Sequence, residues 1–196
     1  MSSVTVEPGH VARHDPAVHT CVRARGSGVV PATADALFAC FRDFGGWQRW
    51  KADVPFELLG GARGTEVGGL RSVVFVRGDK FLHERLVALD DAARTITYAG
   101  VNYGAWPAGG ETYPLSASPF PGSFVDYKST VRVLSVTVPA APGAPASAFM
   151  EWEGEVWTEG AKAAETQAFL AAFYEGNIET LRKLFAADPG FLEASR

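Results

Sequence analysis

The sequence predicts an α+β fold, in which a seven-stranded antiparallel sheet wraps around one long C-terminal helix. The first observation is a period-2 alternation of apolar and polar residues in segments such as 149–158, which is typical of strands with one buried face. The second is a helical pattern that runs from about Lys162 to Ala187. The third is the stretch FRDFGGWQRWKADVPFE, residues 41–57, whose aromatic residues surround the helix-breaking pair Gly45-Gly46. A sheet that grips a helix leaves space between the two, so the pattern also predicts a small-molecule cavity.

The first part of the chain is predicted to form one strand and two short helices. A strand of residues 20–30 comes first, and Thr33 or a neighbour then caps a short helix at 34–41. Gly45-Gly46 allows a turn into a second short helix near 47–50.

Alternation and turn residues predict six further strands. They are residues 54–59, 67–76, 80–89, 95–101, 124–138 and 149–158. The final helix is stopped by Asp188-Pro189-Gly190. We therefore expect a flexible N-terminal tail (1–18), a single ligand-binding domain (19–188) and a C-terminal tail (189–196).

Composition narrows the class of protein. The chain has 196 residues and a formal net charge of −4, which argues against a nucleic-acid partner. It contains no run of about 18 apolar residues that would span a membrane, and its N-terminus lacks a secretory signal. Two cysteines, Cys21 and Cys40, do not make a disulfide framework and fit free thiols in a reducing compartment. We expect a cytoplasmic protein, and the sequence does not predict a protein partner.

Alternation also predicts which side chains share the inner face of the sheet. In the seventh strand the carboxylates of Glu151, Glu153 and Glu155 must face water, which turns Trp152 inward. Alternation likewise turns one row of the sixth strand inward: Val125, Tyr127, Ser129, Val131 and Val133. The final helix carries a stripe of Phe169, Phe173, Asn177, Leu181 and Leu184. Tyr127 and Asn177 are polar tips on apolar rows, and buried polar atoms need partners from the protein, water or a ligand.

Four stretches resemble a known family. They are FRDFGGWQRWK (41–51), HERLVALDDAARTITY (83–98), DYKSTVRV (126–133) and FYEGNIETL (173–181). With the pattern between them, they resemble the helix-grip fold of the START/Bet v 1-like (SRPBCC) superfamily over about residues 20–187. Within it the chain is similar to the polyketide cyclase/dehydrase-type group and, more distantly, to plant abscisic-acid receptors.

The resemblance implies a set of cavity residues. Positions that surround the ligand, often through water, match Glu84, Tyr127, Ser129 and Asn177. The pocket wall matches Phe169 and Phe173, an inward aromatic position matches Tyr98, and the match turns Arg71, Val73 and Phe75 inward. The receptors' ligand-pairing lysine aligns with Pro55, and their gate and latch motifs have no counterpart. These departures argue against abscisic-acid sensing.

The chemistry of this set leaves two alternatives open. Arg71 and Glu84 lie on adjacent predicted strands and could form an ion pair that satisfies both charges. Alternatively Glu84 is a general acid or base whose pKa is set by burial and by Arg71, and the phenols of Tyr98 and Tyr127 donate hydrogen bonds to a developing enolate oxygen. No cofactor is expected, and no metal spacing is visible. We interpret His10, His14 and His19 as tail composition and expect His83 to be exposed.

Three functions follow as hypotheses. The first is the binding of a small hydrophobic or amphipathic molecule, such as a lipid, in a cavity between the sheet and the C-terminal helix. The second is a cofactor-free polyketide cyclase or dehydratase that uses Glu84 as acid or base. The third is a partner-binding module that signals through the Pro/Gly-rich loop Gly104 to Gly122, which is also a candidate lid.

Overall fold

The computed structural model describes residues 14–52, 54, 56–75, 80–100, 121, 124–137 and 146–191, with the backbone alone at 74, 75, 80 and 81. Its strands are β1 (His19–Val30), β2 (Phe56–Leu59), β3 (Leu70–Phe75), β4 (Lys80–Asp90), β5 (Thr95–Gly100), β6 (Val125–Ser135) and β7 (Ala148–Glu159). Within the described residues, these strands form one antiparallel sheet in the order β1-β7-β6-β5-β4-β3-β2. The predicted α+β fold is therefore confirmed.

The three predicted helices lie where the sequence places them, and a short 3-10 turn at Gly160–Lys162 precedes the last one. The helical segments are α1 (Ala34–Arg42), a 3-10 turn at Trp47–Arg49, a second 3-10 turn at Gly160–Lys162, and α2 (Ala163–Ala187). Thr33 caps α1, because its hydroxyl accepts a hydrogen bond from the Ala36 N–H at 3.2 Å. The long helix packs mainly against β1 and β7.

Two ion pairs tie α1 to the turn between β4 and β5. Arg42 donates two hydrogen bonds to Asp91, each 2.7 Å long. Arg94 donates from Nε to Asp35 at 2.6 Å. Both pairs are largely solvent-exposed, so they orient the helix more than they stabilise the fold.

The third strand begins later than the sequence predicts. Alternation suggested a start at Val67, whereas β3 begins at Leu70. Gly68 has φ +94°, a left-handed conformation that a strand does not use, and Val67 is exposed. Alternation alone does not detect this turn because its residues continue the apolar pattern.

Tyr174 of α2 is seated in a slot between two glycines of the sheet. A Cβ at Gly26 on β1 would lie 2.9 Å from the Tyr174 Cβ, and a Cβ at Gly154 on β7 would overlap the Tyr174 hydroxyl. The tyrosine is fully buried. Both glycines are therefore explained by the close approach of α2.

Gly176 has no comparable role among the described residues. A Cβ at this position would meet nothing within 4 Å beyond the backbone of its own helix. Gly176 lies on the exposed side of α2, so it lowers helix stability without a packing reason.

Side chains of α2 also cover the open edge of β1. Gln167 donates to the carbonyl of Arg23 at 2.8 Å, and Arg182 donates from Nε to the carbonyl of Val29 at 3.1 Å. Since an edge strand with free carbonyls can pair with another chain, these bonds also protect the edge.

One expectation about exposure is wrong. His83 alternates outward beside Glu84, as predicted, but it is only 8% exposed, and its strand partner Ser72 is 3% exposed. Alternation decides which face a side chain lies on, but it does not decide whether other parts of the chain cover that face. Burial lowers the pKa of His83 below its ordinary value.

Several expectations lie outside the described residues. They concern Pro55, the turn at 77–79, almost all of the loop 104–122 and the first 13 residues of the tail. In the described part of the chain, no helix combines the length and apolar composition that crossing a membrane requires.

The two kinds of glycine should respond oppositely to alanine. Gly154→Ala should lower the free energy of unfolding by about 1–3 kcal/mol, because the methyl overlaps the Tyr174 hydroxyl. Gly176→Ala should raise it by up to about 1 kcal/mol. Urea unfolding followed by circular dichroism measures both. Adding Tyr174→Phe to Gly154→Ala should recover part of the loss, and a loss unchanged in the double variant would contradict this account of Gly154.

Candidate functional site

Arg71 and Glu84 form a buried ion pair on the inner face of the sheet. They are direct partners in the β3–β4 pairing and are 1% and 4% exposed. Arg71 donates from Nε to Glu84 Oε2 at 2.7 Å, and its Nη2 lies 2.6 Å from the same oxygen. Of the two alternatives that the sequence left open, the structure contains the ion pair.

Four aromatic rings surround the Arg71 guanidinium. Its carbon lies 3.7 Å from the centre of the Trp47 ring and 3.8 Å from that of Phe44. Phe56 and Tyr98 follow at 4.8 and 5.3 Å. Cation–π attraction therefore replaces part of the hydration that the charge loses on burial.

The segment after α1 builds this surrounding. The carbonyl of Phe44 accepts a hydrogen bond from Arg71 Nη1 at 2.7 Å. Gly45 follows without a side chain, where a Cβ would overlap Leu58, and the 3-10 turn then places Trp47 against the same guanidinium. The aromatic residues and glycines that stand out in residues 41–57 therefore surround the buried charge of Arg71.

Burial and pairing act on the two charges in opposite directions. Burial raises the pKa of the Glu84 carboxyl, and the Arg71 guanidinium opposes that rise. Burial also lowers the pKa of Arg71 from 12.5, while Glu84 raises it. A guanidinium stays protonated at neutral pH, so the pair keeps its positive partner.

A hydroxyl network lies beside the ion pair. The Trp152 Nε1–H lies 3.0 Å from the Tyr98 hydroxyl and 2.9 Å from Ser129 Oγ. Ser129 donates in turn to the carbonyl of Glu153 at 2.8 Å. Burial raises the pKa of Tyr98, and the nearby Glu84 carboxylate adds to this effect. At neutral pH the phenol is therefore a hydrogen-bond donor.

Tyr127 extends the network to the long helix through a residue that sequence reasoning missed. The hydroxyls of Tyr127 and Tyr174 are 3.2 Å apart, and the Tyr174 ring stacks on Trp152 at 5.3 Å. Burial raises the pKa of Tyr174 to about 12 and that of Tyr127 well above its ordinary value. The predicted stripe of α2 runs through Phe169 and Phe173, which are only half-buried. The buried face lies one residue further along and contains Leu170, Tyr174 and Ile178.

A small cavity lies where these groups meet α2. It has about 20 Å³ of space for water, which is room for about one molecule. Its lining consists of Trp47, Lys51, Val54, Phe56, Arg71, Val73, Leu82, Glu84, Tyr98, Tyr127, Trp152, Leu170 and Phe173. Side chains therefore fill almost all of the space between the sheet and α2 at this point.

Seven of the sequence-predicted site residues line this cavity. They are Arg71, Val73, Glu84, Tyr98, Tyr127, Trp152 and Phe173. Ser129 is not part of the lining, but its hydroxyl accepts a hydrogen bond from the lining residue Trp152. Phe169 stacks on the lining residue Phe173, with ring centres 6.5 Å apart. The side chain of Phe75 is outside the described residues.

Asn177 is buried away from the lining. It is 2% exposed, and its Nδ2 has no hydrogen-bond partner among the described residues. A buried amide without a partner is costly. Asn177 is therefore a buried polar residue on α2, as the sequence indicated.

Lys51 is one of the lining residues that lie outside the predicted site. The receptor lysine was aligned with Pro55, yet Lys51 lines the cavity and its Nζ lies 5.6 Å from the centre of the Phe173 ring. Lys51, Leu82 and Phe173 are half-buried, whereas the other lining residues are buried. These three side chains therefore mark the side from which solvent reaches the cavity.

A larger hollow on the opposite face of the sheet is not a comparable site. It measures about 500 Å³ and is lined mainly by charged side chains such as Arg23, Lys128 and Glu153. Arg23 and Glu155 in its wall pair at 3.3 Å while remaining 79% and 43% exposed. Solvated charges that neutralise one another are typical of a water-facing sheet surface.

Neither metal ligands nor a disulfide mark the site. Within the described ranges, no group of three or more His, Cys, Asp or Glu side chains is placed to hold a metal ion. Cys21 is half-buried and Cys40 is buried, and both are free thiols. Burial raises the pKa of Cys40 to about 12, so it is not a nucleophile at neutral pH.

The sheet, the helix in its grip and the cavity between them define a helix-grip protein. The family model described as polyketide cyclase / dehydrase and lipid transport matches residues 21–186. The chain belongs to this family. A comparison with curated proteins finds no match.

Solved structures share the fold at low sequence identity. An uncharacterised protein from Bacillus thuringiensis has a TM-score of 0.63 at 19% identity and covers 84% of this chain and 99% of its own. A protein from Nitrosospira multiformis has a TM-score of 0.60 at 20% identity, covering 89% of this chain and 99% of its own. Norcoclaurine synthase from Thalictrum flavum, solved with dopamine and hydroxybenzaldehyde, has a TM-score of 0.59 at 15% identity. The match covers 88% of this chain and 90% of the synthase chain.

Removing one partner of the buried ion pair should destabilise the protein strongly. Arg71→Met leaves the Glu84 carboxyl buried without its donor, and we expect the free energy of unfolding at pH 8 to fall by about 3–5 kcal/mol. The loss should shrink towards pH 5. Burial raises the pKa of the Glu84 carboxyl, so the carboxyl takes up a proton on folding, and the folded state gains stability as the pH falls. Urea unfolding at several pH values measures the effect.

The double variant is the matched control. Arg71→Met with Glu84→Leu removes both charges, so its loss should be smaller than that of Arg71→Met alone. A loss equal to the sum of the two single losses would show that the residues do not act as a pair.

Proposed function

We propose that this protein binds a small amphipathic molecule with an aromatic or similarly flat apolar part, in the space between the sheet and α2. The observation that carries the proposal is the composition of one cavity wall. Rings of Trp47, Phe56 and Phe173 share it with the polar groups of Glu84 and Tyr127. An apolar wall with a few convergent polar groups is the usual form of a small-molecule site.

The charges of the lining favour an anionic or oxygen-rich end on the ligand. Arg71 and Glu84 pair with one another, and the ammonium group of Lys51 lies at the half-buried side of the lining. The phenol of Tyr127 can donate a hydrogen bond, since its raised pKa keeps it protonated at neutral pH. A carboxylate, phenolate or carbonyl oxygen would meet both groups, while its apolar part lies among the rings.

Binding requires the walls to move. The space for water is about 20 Å³, which is far below the few hundred Å³ of a usual ligand site. Leu82 and Phe173 are the half-buried apolar members of the lining, so rotation of their side chains opens the cavity at the least packing cost. We therefore expect slow, saturable binding of small molecules.

The comparisons support this class of ligand. The family description includes lipid transport as well as cyclase and dehydrase activity. Norcoclaurine synthase, which shares the fold, was solved with the two small aromatic molecules dopamine and hydroxybenzaldehyde.

Two free thiols fit the reducing environment of the cytoplasm, which we propose as the location of the protein.

Fluorescent probes of different charge test the proposal. We expect the folded protein to bind both the anionic probe 8-anilinonaphthalene-1-sulfonate and the neutral probe N-phenyl-1-naphthylamine. Lys51→Met should weaken the sulfonate by about tenfold, equivalent to about 1.4 kcal/mol, and the neutral probe by less than about twofold. Fluorescence titration measures both affinities.

Lys162→Met is the matched control for that experiment. Lys162 is half-exposed, pairs with Glu165 and lies away from the cavity lining, so its removal should change neither affinity. If neither probe binds the folded wild-type protein in a saturable way, the interior is a closed core and the proposal is wrong.

A second candidate is a cofactor-free cyclase or dehydratase. It is favoured by Glu84, whose carboxyl lines the cavity and whose pKa is raised by burial, as a general acid requires. Nε and Nη2 of Arg71 both contact Oε2 of Glu84. The other carboxyl oxygen would then exchange the proton with a substrate. The family description includes this activity.

Glu84→Gln separates the two functions. An enzyme that uses the carboxyl should lose turnover of a poly-β-keto substrate by at least about a hundredfold, while the affinity for the neutral probe stays within about twofold. Product formation is measured by mass spectrometry. If the Glu84→Gln variant keeps its turnover, Glu84 is not the catalytic acid or base.

A further inference from the structure

Tyr174 of α2 contacts the wall of the cavity from behind. It is fully buried and does not belong to the lining. Its hydroxyl lies 3.2 Å from that of Tyr127, and its ring stacks on Trp152 with ring centres 5.3 Å apart. Both of these partners line the cavity. Tyr174 is therefore joined to the candidate site by one polar contact and by one aromatic contact.

The backbone of the sheet restricts where the Tyr174 hydroxyl can lie. A Cβ at Gly26 would lie 2.9 Å from the Tyr174 Cβ, and a Cβ at Gly154 would overlap the hydroxyl itself. Gly154 is the strand partner of Ser129, so the hydroxyl ends beside the pairing of β6 with β7. The slot therefore holds the Tyr174 hydroxyl as a fixed contact for Tyr127.

The protons of the two hydroxyls have different acceptors to choose from. Tyr174 is buried away from the cavity, so its proton needs an acceptor within the protein. Burial raises the pKa of Tyr174 to about 12, and hydrogen bonding to Tyr127 and Ser129 opposes this rise. The Ser129 oxygen already accepts the Nε1–H of Trp152 at 2.9 Å. The Tyr127 oxygen is therefore the more available acceptor for the Tyr174 proton, whereas the Tyr127 proton can reach the cavity.

We propose that Tyr174 is a positioning residue for the ligand site: it donates its proton to the Tyr127 oxygen and so directs the Tyr127 proton into the cavity. The inference rests on the proposed function, because it needs a ligand that Tyr127 contacts. A hydroxyl that accepts a hydrogen bond is polarised and becomes a stronger donor. The ligand group that matches this donor is an acceptor oxygen such as the carbonyl of an aromatic ketone or aldehyde. The site therefore favours such a carbonyl compound relative to a hydrocarbon of the same shape.

The first test needs no ligand. The C–O stretching band of a phenol rises in frequency when its hydroxyl donates a hydrogen bond and falls when it accepts one. Infrared spectra of protein labelled at the tyrosine Cζ carbon show this band, and Tyr127→Phe identifies the band of Tyr127. Tyr174→Phe should raise the frequency of the Tyr127 band, because the Tyr127 oxygen then loses a donor. A lower frequency would mean that Tyr127 donates to Tyr174, and an unchanged band would mean that the two hydroxyls are not bonded; either result overturns the proposal.

Two ligands of the same shape test the preference for a carbonyl. The ketone 2-acetylnaphthalene has an oxygen where the alkene 2-isopropenylnaphthalene has a methylene group, and displacement of N-phenyl-1-naphthylamine gives both affinities. The ratio of the two affinities is compared between variants, so the difference in hydration between the ligands cancels. Tyr127→Phe should lower the ketone-to-alkene ratio by about fivefold or more, and Tyr174→Phe by about threefold or more. The double variant should match Tyr127→Phe, because Tyr174 acts through Tyr127.

Thr166→Val is the matched control for the loss of a buried hydroxyl from α2. Thr166 is fully buried, and its hydroxyl lies 3.5 Å from that of Thr158, away from the cavity lining. This variant should leave the ketone-to-alkene ratio unchanged even if it lowers stability. If Tyr174→Phe leaves the ratio unchanged, or lowers it further in a protein that already carries Tyr127→Phe, the positioning role is wrong. If neither ligand binds the wild type, the proposed function fails, and the infrared shift still decides the direction of the hydrogen bond.

Discussion

The burial of the Arg71 charge is the constraint on which the interior of this protein depends. A guanidinium that is 1% exposed needs an anion, a carbonyl acceptor and polarisable neighbours. The chain supplies Glu84 from the paired strand, the carbonyl of Phe44 and four surrounding rings. The turn after α1, the strands β3 and β4, and Tyr98 on β5 are therefore fixed relative to one another by a single charge.

A network of hydrogen bonds connects the strands around this ion pair to the long helix. Trp152 on β7 binds Tyr98 and Ser129, and Tyr174 on α2 reaches Tyr127 through the slot between Gly26 and Gly154. Buried polar groups are tolerable only when they are satisfied, and a connected network holds its members in one arrangement. The same groups surround the cavity, so the arrangement that stabilises the interior also defines what a ligand would meet.

The small volume of the cavity has a physical cause. The rings that stabilise Arg71 and the tyrosines that satisfy one another fill the space that the curved sheet leaves under α2. Under the proposed function, a ligand would replace side-chain contacts rather than enter an empty space. The half-buried members of the lining are Lys51, Leu82 and Phe173, and none of them belongs to the ion pair.

By itself the sequence predicted the elements and the inner rows of the sheet, because alternation and helical periodicity record which side chains are buried. The exception is Val125, which a bulge in β6 turns to the outer face. Arg71, Glu84, Tyr98, Tyr127 and Trp152 were all identified in this way or by resemblance. Only the tertiary structure decided that Arg71 and Glu84 pair, that Tyr174 completes the network, and that His83 is covered. It also decided that the cavity is nearly full and that His14 docks on the bulge at Asp126. Periodicity describes one segment at a time, whereas these features depend on register shifts and on contacts between segments that are far apart in the chain.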